Sequence, residues 1–201
     1  MNEDSWRKLK RDCERCERCG LCRGRHNLVF ADGNEKAKVM LIGEGHGEQE
    51  DLQGRPFVGP AGKFLDNMLE LIDLDRTKVY IANVVKCRPP HNRDPLPEEQ
   101  EACSSFLARQ IALVRPMIIV CLGRIAAQGI MKKDMRITRE HGVWYEHDGM
   151  MYMATYHPSA LLRDESKRPE AFDDLVRLRQ QIREMCPQIY DKSDGTPQEK
   201  L

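Results

Sequence analysis

Three short apolar runs constrain the fold of this chain more than any other feature. KVMLIGE (Lys38–Glu44), KVYIANVV (Lys78–Val85) and PMIIVCLG (Pro116–Gly123) each end in Gly, Asn or a loop. Short uninterrupted runs of this kind read as strands buried on both faces. Helical patterns lie between and after them. Gly62–Leu74 carries Phe64, Leu65, Met68, Leu69 and Ile72 at helical spacing. Pro97–Val114 opens on Pro followed by Glu98 and Glu99, as first turns often do. Arg124–Met131 is a shorter helix candidate. Strands alternating with helices predict a parallel sheet covered on both faces. Beyond them, Asp148-Gly149 predicts a hairpin turn between two strand-like runs, the second leading into His157-Pro158. Arg168–Met185 reads as a closing amphipathic helix. Residues 1–187 are expected to form one domain, beginning with a Cys-rich helix, and the polar stretch 188–201 a disordered tail.

In open α/β sheets, ligands bind at the carboxyl ends of the strands. Three polar segments fall there: GEGHGEQED after the first run, NVVKCRPP at the end of the second, and TYHPSALLR after the hairpin. Their convergence on one edge predicts an active site. Composition narrows its chemistry. Lys and Arg number 32, as do Asp and Glu, which argues against gripping nucleic acid by bulk charge and leaves room for a local basic face. The charged start lacks an apolar signal region, and no stretch reaches about 18 apolar residues. The chain therefore reads as soluble and intracellular, with no membrane role.

Eight cysteines in a reducing compartment point to metal rather than disulfides. Cys13, Cys16, Cys19 and Cys22 repeat C-x2-C spacing in CERCERCGLC, while Cys87 and Cys103 lie far off. Four N-terminal thiolates could bind zinc as a knuckle. Two of them could instead join Cys87 and Cys103 around a [4Fe–4S] cluster. Cys121, in an apolar run, reads as a core residue, and Cys186 has no evident partner.

Glu44 closes its strand run and could aim a carboxylate into a cleft, where it would orient or activate water. Glu48, Glu50 and Asp51 follow, and solvated loop charges are the plain alternative for them. The G-x4-G-K-[ST] phosphate loop is absent, and the acidic residues would repel phosphate. Phe57, in RPFVG, is either a core plug or a stacking platform for a planar ligand. Asn83, polar within an apolar run, suits either a backbone bond or the edge of a nucleobase. His157, at a strand exit, is a candidate for acid/base or electrostatic work. Leu161 and Leu162 are either core residues or wedges for a base stack. Lys86, Arg88, Arg93, Arg124 and Arg163 could form a basic rim or an ordinary solvated surface.

Taken together, these motifs resemble the iron–sulfur branch, family four, of the uracil-DNA glycosylase superfamily. The resemblance rests on C-x2-C then L-C, GEGHGEQEDLQGRPFVGPAG, NVVKCRPPHNRDP, the PEEQEAC helix and TYHPSALLR, in family order from about Cys16 to Arg163. It implies a three-layer α/β/α fold with a mainly parallel, roughly four-stranded sheet. It implies a structural [4Fe–4S] cluster on Cys16, Cys19, Cys87 and Cys103, with Cys13 and Cys22 as bystanders. The implied reaction is hydrolysis of the N-glycosidic bond of uracil in DNA after base flipping, leaving an abasic site. Phe57 would stack on uracil, Asn83 would read its edge, and backbone groups near Gly43, Gly45 and His46 would add hydrogen bonds. His157 would stabilise charge on the departing base. Glu44, with Glu50 as second choice, would handle water or the cationic sugar. Ser159, Leu161, Leu162 and Arg163 would press into DNA. The implied setting is a monomer acting on uracil-containing DNA at the nucleoid in a prokaryotic cytoplasm. One departure stands out: the family usually has Pro where this chain has His46. Three readings stay open there: a tolerated change, an altered range of deaminated bases, or a nucleophile that traps the sugar. A protein that binds uracil-DNA without turnover is the alternative from another functional class.

Overall fold

The computed structural model describes residues 3–191. A six-stranded sheet runs in the order β1-β3-β2-β4-β6-β5. Its strands are β1 (Asp32–Gly33), β2 (Val39–Gly43), β3 (Val79–Asn83), β4 (Ile118–Leu122), β5 (Trp144–His147) and β6 (Met150–Thr155). The four inner strands are parallel, and β1 and β5 flank them antiparallel. The sheet is thus two strands wider than the roughly four-stranded expectation. Its four-stranded parallel core is the part the apolar runs and the second hairpin arm encode. β1 has only two residues, too few to leave a periodic signal.

Side chains of the inner strands alternate between two cores. Met40, Ile42, Tyr80, Ala82, Ile119 and Cys121 pack on one face with Leu9, Phe106, Leu107, Ala126 and Ala127. The helices there are α1 (Glu3–Glu14), α4 (Pro97–Val114) and α5 (Arg124–Ile130). Val39, Leu41, Val79, Ile81, Ile118 and Val120 pack on the other face with Leu65, Met68, Leu69, Leu175, Leu178 and Ile182. These belong to α3 (Pro60–Glu70) and α8 (Arg168–Met185). Helices on both faces of the sheet make the three-layer α/β/α arrangement.

Two of the polar segments at the strand ends contain short helices. Glu48–Gln53 forms α2, because Glu50 reaches back to the Gly47 N–H and Gly54 closes the helix in the left-handed region at φ 70°. Pro158–Arg163 forms α7, started by Pro at its first position. Ile137–Glu140 adds a short α6. In α4, Glu99 accepts the Leu96 N–H at 2.8 Å, the carboxylate half of a capping box. Cys13 lies in the last turn of α1, whereas Cys16, Cys19 and Cys22 follow in a loop and a 3-10 turn, so the N-terminal helix itself is not Cys-rich. Of the expected tail, residues 188–190 belong to the helical turn Pro187–Tyr190, and residues 192–201 lie outside the described residues. No described helix is long and apolar enough to cross a membrane.

Candidate active site

The chain leaves β2 for β3 on one side and later returns to β4 on the other, so the sheet reverses direction between β2 and β4. A cavity of about 630 Å³ opens at the carboxyl ends beside this switch point, where open α/β sheets bind ligands. Glu44, Gly45, His46, Glu50, Phe57 and Asn83 line it, with Asp94, Gly123, His157, Ser159 and Arg163 completing the walls. The three polar segments picked out in the sequence therefore do meet.

Register explains the deepest part. Gly43 pairs with Asn83 across β2 and β3. A Cβ on Gly43 would lie 2.4 Å from Asn83 Oδ1 and 2.7 Å from the Phe57 ring, so only glycine keeps these two side chains at the cavity floor. Asn83 is buried, and among the described residues its Oδ1 has no hydrogen-bond partner. A buried amide oxygen left open in a cavity is an acceptor awaiting a donor.

Phe57 sits at φ 54°, a costly conformation for a bulky residue. Arg76 holds it there, donating to the Phe57 and Pro56 carbonyls while paired with Asp32 and Asp66. Gly62 is required beneath it, since an added Cβ would lie 1.8 Å from the Phe57 oxygen. Nothing in the sequence pointed to Arg76, because its role depends on carbonyls about twenty residues upstream.

His157 lies against Phe57, ring centroids 5.7 Å apart and planes 29° apart. Gly123, at φ 88°, lets it approach: a Cβ there would meet the His157 Cβ at 2.9 Å. The Ser159 N–H donates to His157 Nδ1 at 3.1 Å. A backbone amide can only donate, so Nδ1 is the acceptor and the neutral ring carries its proton on Nε2. Burial, reinforced by Arg163, lowers His157 to about 4, so the ring is neutral at physiological pH. Behind it, Tyr156 donates to Glu170, and Thr155 and His141 both bond Asp174. This network holds the exit of β6.

The carboxylates separate into different tasks. Burial first, then the neighbouring Asp94 carboxyl, raises Glu44 to about 7, opposed by Arg124 and Arg163. Glu50 is not a free carboxylate. Its Oε1 accepts from Val58 N and Gly59 N at 2.9 and 2.7 Å, and its Oε2 from Gly47 N at 3.1 Å. It clasps the two walls of the cavity with three of its roughly four acceptor positions, so its first task is to build the site. Asp51 is buried too. Burial opposes its charge, but hydrogen bonds from His26 and Asn27 hold it below its ordinary range. Only Glu48 is a solvated charge, as the plain reading had it.

His46 is 5% exposed, and among the described residues neither of its ring nitrogens has a hydrogen-bond partner. Burial holds it neutral, lowered to about 4, with Asp51 and Glu50 pulling the other way. On α7, Leu161 is 1% exposed and packs in the core, whereas Leu162 is 40% exposed. Leu161 is therefore corrected from a DNA-facing residue to a core residue, because a single helical turn points adjacent side chains in different directions. Ser159 and Arg163 line the cavity mouth.

Cys13, Cys16, Cys19, Cys22, Cys87 and Cys103 line one crevice between the N-terminal segment, the β3 exit and α4. Burial raises Cys13 to about 12 and Cys87 to about 11, and raises Cys103 as well. Arg25 donates to Cys87 Sγ at 3.3 Å and to the Cys16 carbonyl at 3.2 Å, pulling the loop toward Cys87. Among the described residues, no three Cys, His, Asp or Glu side chains close on a single ion. A polynuclear cluster does not demand that convergence, because each sulfur binds a different iron. Cys121 is an inert core thiol, raised by full burial.

Residues 30–180 match the family model described as the Uracil DNA glycosylase superfamily. The chain is 42% identical over 191 residues to a Type-4 uracil-DNA glycosylase of Archaeoglobus fulgidus, covering 91% of this chain and 96% of that protein. It is 43% identical to the Type-4 uracil-DNA glycosylase of Sulfurisphaera tokodaii, over 88% of this chain and 84% of the relative. The corresponding figures for Thermotoga maritima are 45%, 76% and 81%.

Proposed function

The chain belongs to the uracil-DNA glycosylase superfamily, and on that premise we propose that it is a DNA-repair enzyme that hydrolyses the N-glycosidic bond of uracil in DNA. The observation that carries this reading is the convergence, in one cavity, of an aromatic floor, an open amide acceptor and a neutral imidazole donor: Phe57, Asn83 Oδ1 and His157 Nε2. These are the surfaces a flipped uracil needs: a ring to stack on, an acceptor for its N3–H and a donor for a carbonyl.

In this reading the flipped uracil stacks on Phe57, and Asn83 and the backbone near Gly43, Gly45 and His46 read its polar edge. As the glycosidic bond breaks, its electron pair leaves with uracil, and negative charge grows on the base carbonyls. His157 Nε2–H donates to that charge in a site largely shielded from water, where such a donor is strongest. The sugar becomes cationic. The ionised Glu44 carboxylate stabilises it and orients the water that adds to the anomeric carbon, then takes the water's proton. Ser159 and Arg163 at the cavity, with the exposed Leu162 beside them on α7, press on the DNA and hold the strand open. Leu162 would fill the space vacated by the flipped nucleotide.

Cys16, Cys19, Cys87 and Cys103 would hold a [4Fe–4S] cluster, which supplies a structural tie rather than a reacting group. All four line the one crevice between the N-terminal segment, the β3 exit and α4, and each would have to give up its proton to bind. Cys13 and Cys22 share the crevice as neighbours.

The test is a uracil-containing oligonucleotide incubated with the holoprotein without magnesium, then cleaved with alkali. Strand scission at the uracil is expected, together with its loss in Glu44→Gln. Intact DNA with tight uracil-dependent binding would replace the reading with a binding protein.

A further inference from the structure

Lys86, grouped in the sequence with the arginines of a basic rim, lies in the interior. It is 1% exposed and among the largest fully buried side chains. Lysines this deep are ordinarily paired with a carboxylate. Among the described residues, Lys86 Nζ has one hydrogen-bond partner, the Asn83 carbonyl at 2.7 Å, and no carboxylate partner. An ammonium has three N–H donors, so two are unmet in a site closed to water. A buried charge left in that state is costly. The side chain lines the crevice that holds Cys16, Cys19, Cys87 and Cys103. Glu99 lines it too, but accepts from Arg93 at 2.8 and 2.7 Å and from the Leu96 N–H at 2.8 Å. Arg18 lies over the Phe106 ring and bonds Ser105 at 2.7 Å. Arg25 donates to the Glu14 carbonyl at 2.7 Å besides its contacts with Cys16 and Cys87. Lys86 alone of these charged groups keeps donors in reserve.

The same side chain reaches the base pocket. Beyond the end of β3, the Val84 N–H donates to the Gly43 carbonyl at 2.9 Å and the Val85 N–H to the Glu44 carbonyl at 3.1 Å. The backbone then passes through Lys86, whose carbonyl accepts the Val29 N–H at 3.0 Å, to Cys87. β1 pairs only with Tyr80 and Ile81, so it does not flank Asn83. A buried carbonyl there needs a donor, and Lys86 turns back three residues to supply it. We propose that Lys86 is a positioning residue that joins the cluster site to the base pocket: one N–H fixes the Asn83 carbonyl, and the other two serve the sulfurs of the [4Fe–4S] cluster, whose negative charge offsets the buried ammonium. This rests on the cluster reading and on Asn83 reading the base. Lys86 touches neither base nor sugar. It acts by fixing the backbone from which the Asn83 side chain projects into the cavity floor. N–H donors to sulfur and a nearby positive charge also raise a cluster's reduction potential.

The experiment compares wild-type holoprotein with Lys86→Met, which keeps the length of the side chain and removes its charge and donors. Iron and sulfide content and the thermal midpoint serve as controls. In the variant, the cluster potential, read by potentiometric titration, should move to more negative values. The single-turnover excision rate at saturating enzyme should fall about tenfold, while the enzyme concentration giving half that rate stays within about twofold. A merely structural lysine would lower the thermal midpoint and leave the potential where it was. An unchanged potential or an unchanged rate in folded, iron-loaded Lys86→Met overturns the proposal. A second readout needs no variant. No other lysine lines the crevice among the described residues. Wild-type holoprotein labelled with nitrogen-15 at lysine Nζ should therefore show a nitrogen-15 coupling to the reduced cluster in pulsed electron paramagnetic resonance. Its absence overturns the proposal even where Lys86→Met does not fold. Wild type purified without oxygen and still lacking iron overturns the cluster reading. Iron-loaded wild type that leaves uracil-containing DNA intact overturns the glycosylase reading.

Discussion

Glu50 offers the sharpest separation between a residue that acts on substrate and one that builds the site. Its two oxygens accept three backbone N–H groups, from Gly47, Val58 and Gly59, and the residue is 8% exposed. In Glu50→Gln the amide oxygen can still face Val58 and Gly59, but the amide nitrogen must then face the Gly47 N–H. Two bonds lose their charge assistance, at about 1 kcal/mol each, and one N–H loses its acceptor, at about 1–3 kcal/mol. The sum is about 3–5 kcal/mol, which for a chain of this size is a fall of about 6–20 °C in thermal midpoint.

Because the clasp ties α2 to the Phe57 loop, the excision rate should fall as well, through misplacement of Phe57. It should fall without a change in the shape of its pH dependence. The assays are urea unfolding at pH 7.5 and single-turnover excision across pH. A Glu50→Gln protein with wild-type stability and a hundredfold slower reaction would refute the reasoning and return Glu50 to the water.

Further outcomes follow from the same geometry. His157→Ala should slow excision about 10²–10³-fold, the typical cost of one lost donor to a developing anion. The wild-type acid limb should stay well above the His157 value of about 4, checked by single-turnover rates from pH 4.5 to 7. His46 is neutral when folded, about 4 against an ordinary 6.5, so its contribution to stability is present above about pH 6.5 and lost as pH falls toward 4. His46→Leu should therefore flatten the decline in urea stability between pH 7.5 and 5, and an unchanged slope would count against the buried, unpartnered ring. Leu161→Ala should cost about 2–5 kcal/mol as a core cavity. Leu162→Ala should leave urea stability within about 0.5 kcal/mol while slowing excision more from double-stranded than from single-stranded DNA.

What the sequence made legible follows its periodicities. β2, β3 and β4 are buried on both faces, with every residue inaccessible, so each left an unbroken apolar run bounded by a turn. Those runs carry the catalytic edge with them: once β2 and β3 are parallel neighbours, Gly43 and Asn83 share a register and Glu44 must follow. Candidate residues at strand ends were readable for that reason. The two-residue β1 and the short α2 were not, because no period can be seen over so few residues, and the capping of α2 depends on a carboxylate that also looked catalytic.

What sequence reasoning missed acts on backbone rather than through a motif. Arg76, which it did not name, supports Phe57 by way of the Pro56 and Phe57 carbonyls, and Glu50, which it named for another task, joins Gly47 to Val58 and Gly59. Carbonyl and amide positions are set by the fold, so side chains serving them carry no spacing signature. Asp94 lies between these cases. It stood in a motif already singled out, NRDP, but its meaning depends on Glu44 and Arg124, 50 residues before and 30 after it, arriving at the same cavity wall. The site is therefore encoded at two levels. Strand ends specify which groups can touch a base, and a ring of arginines and carboxylates, invisible one residue at a time, specifies the strain and the charge with which they do so.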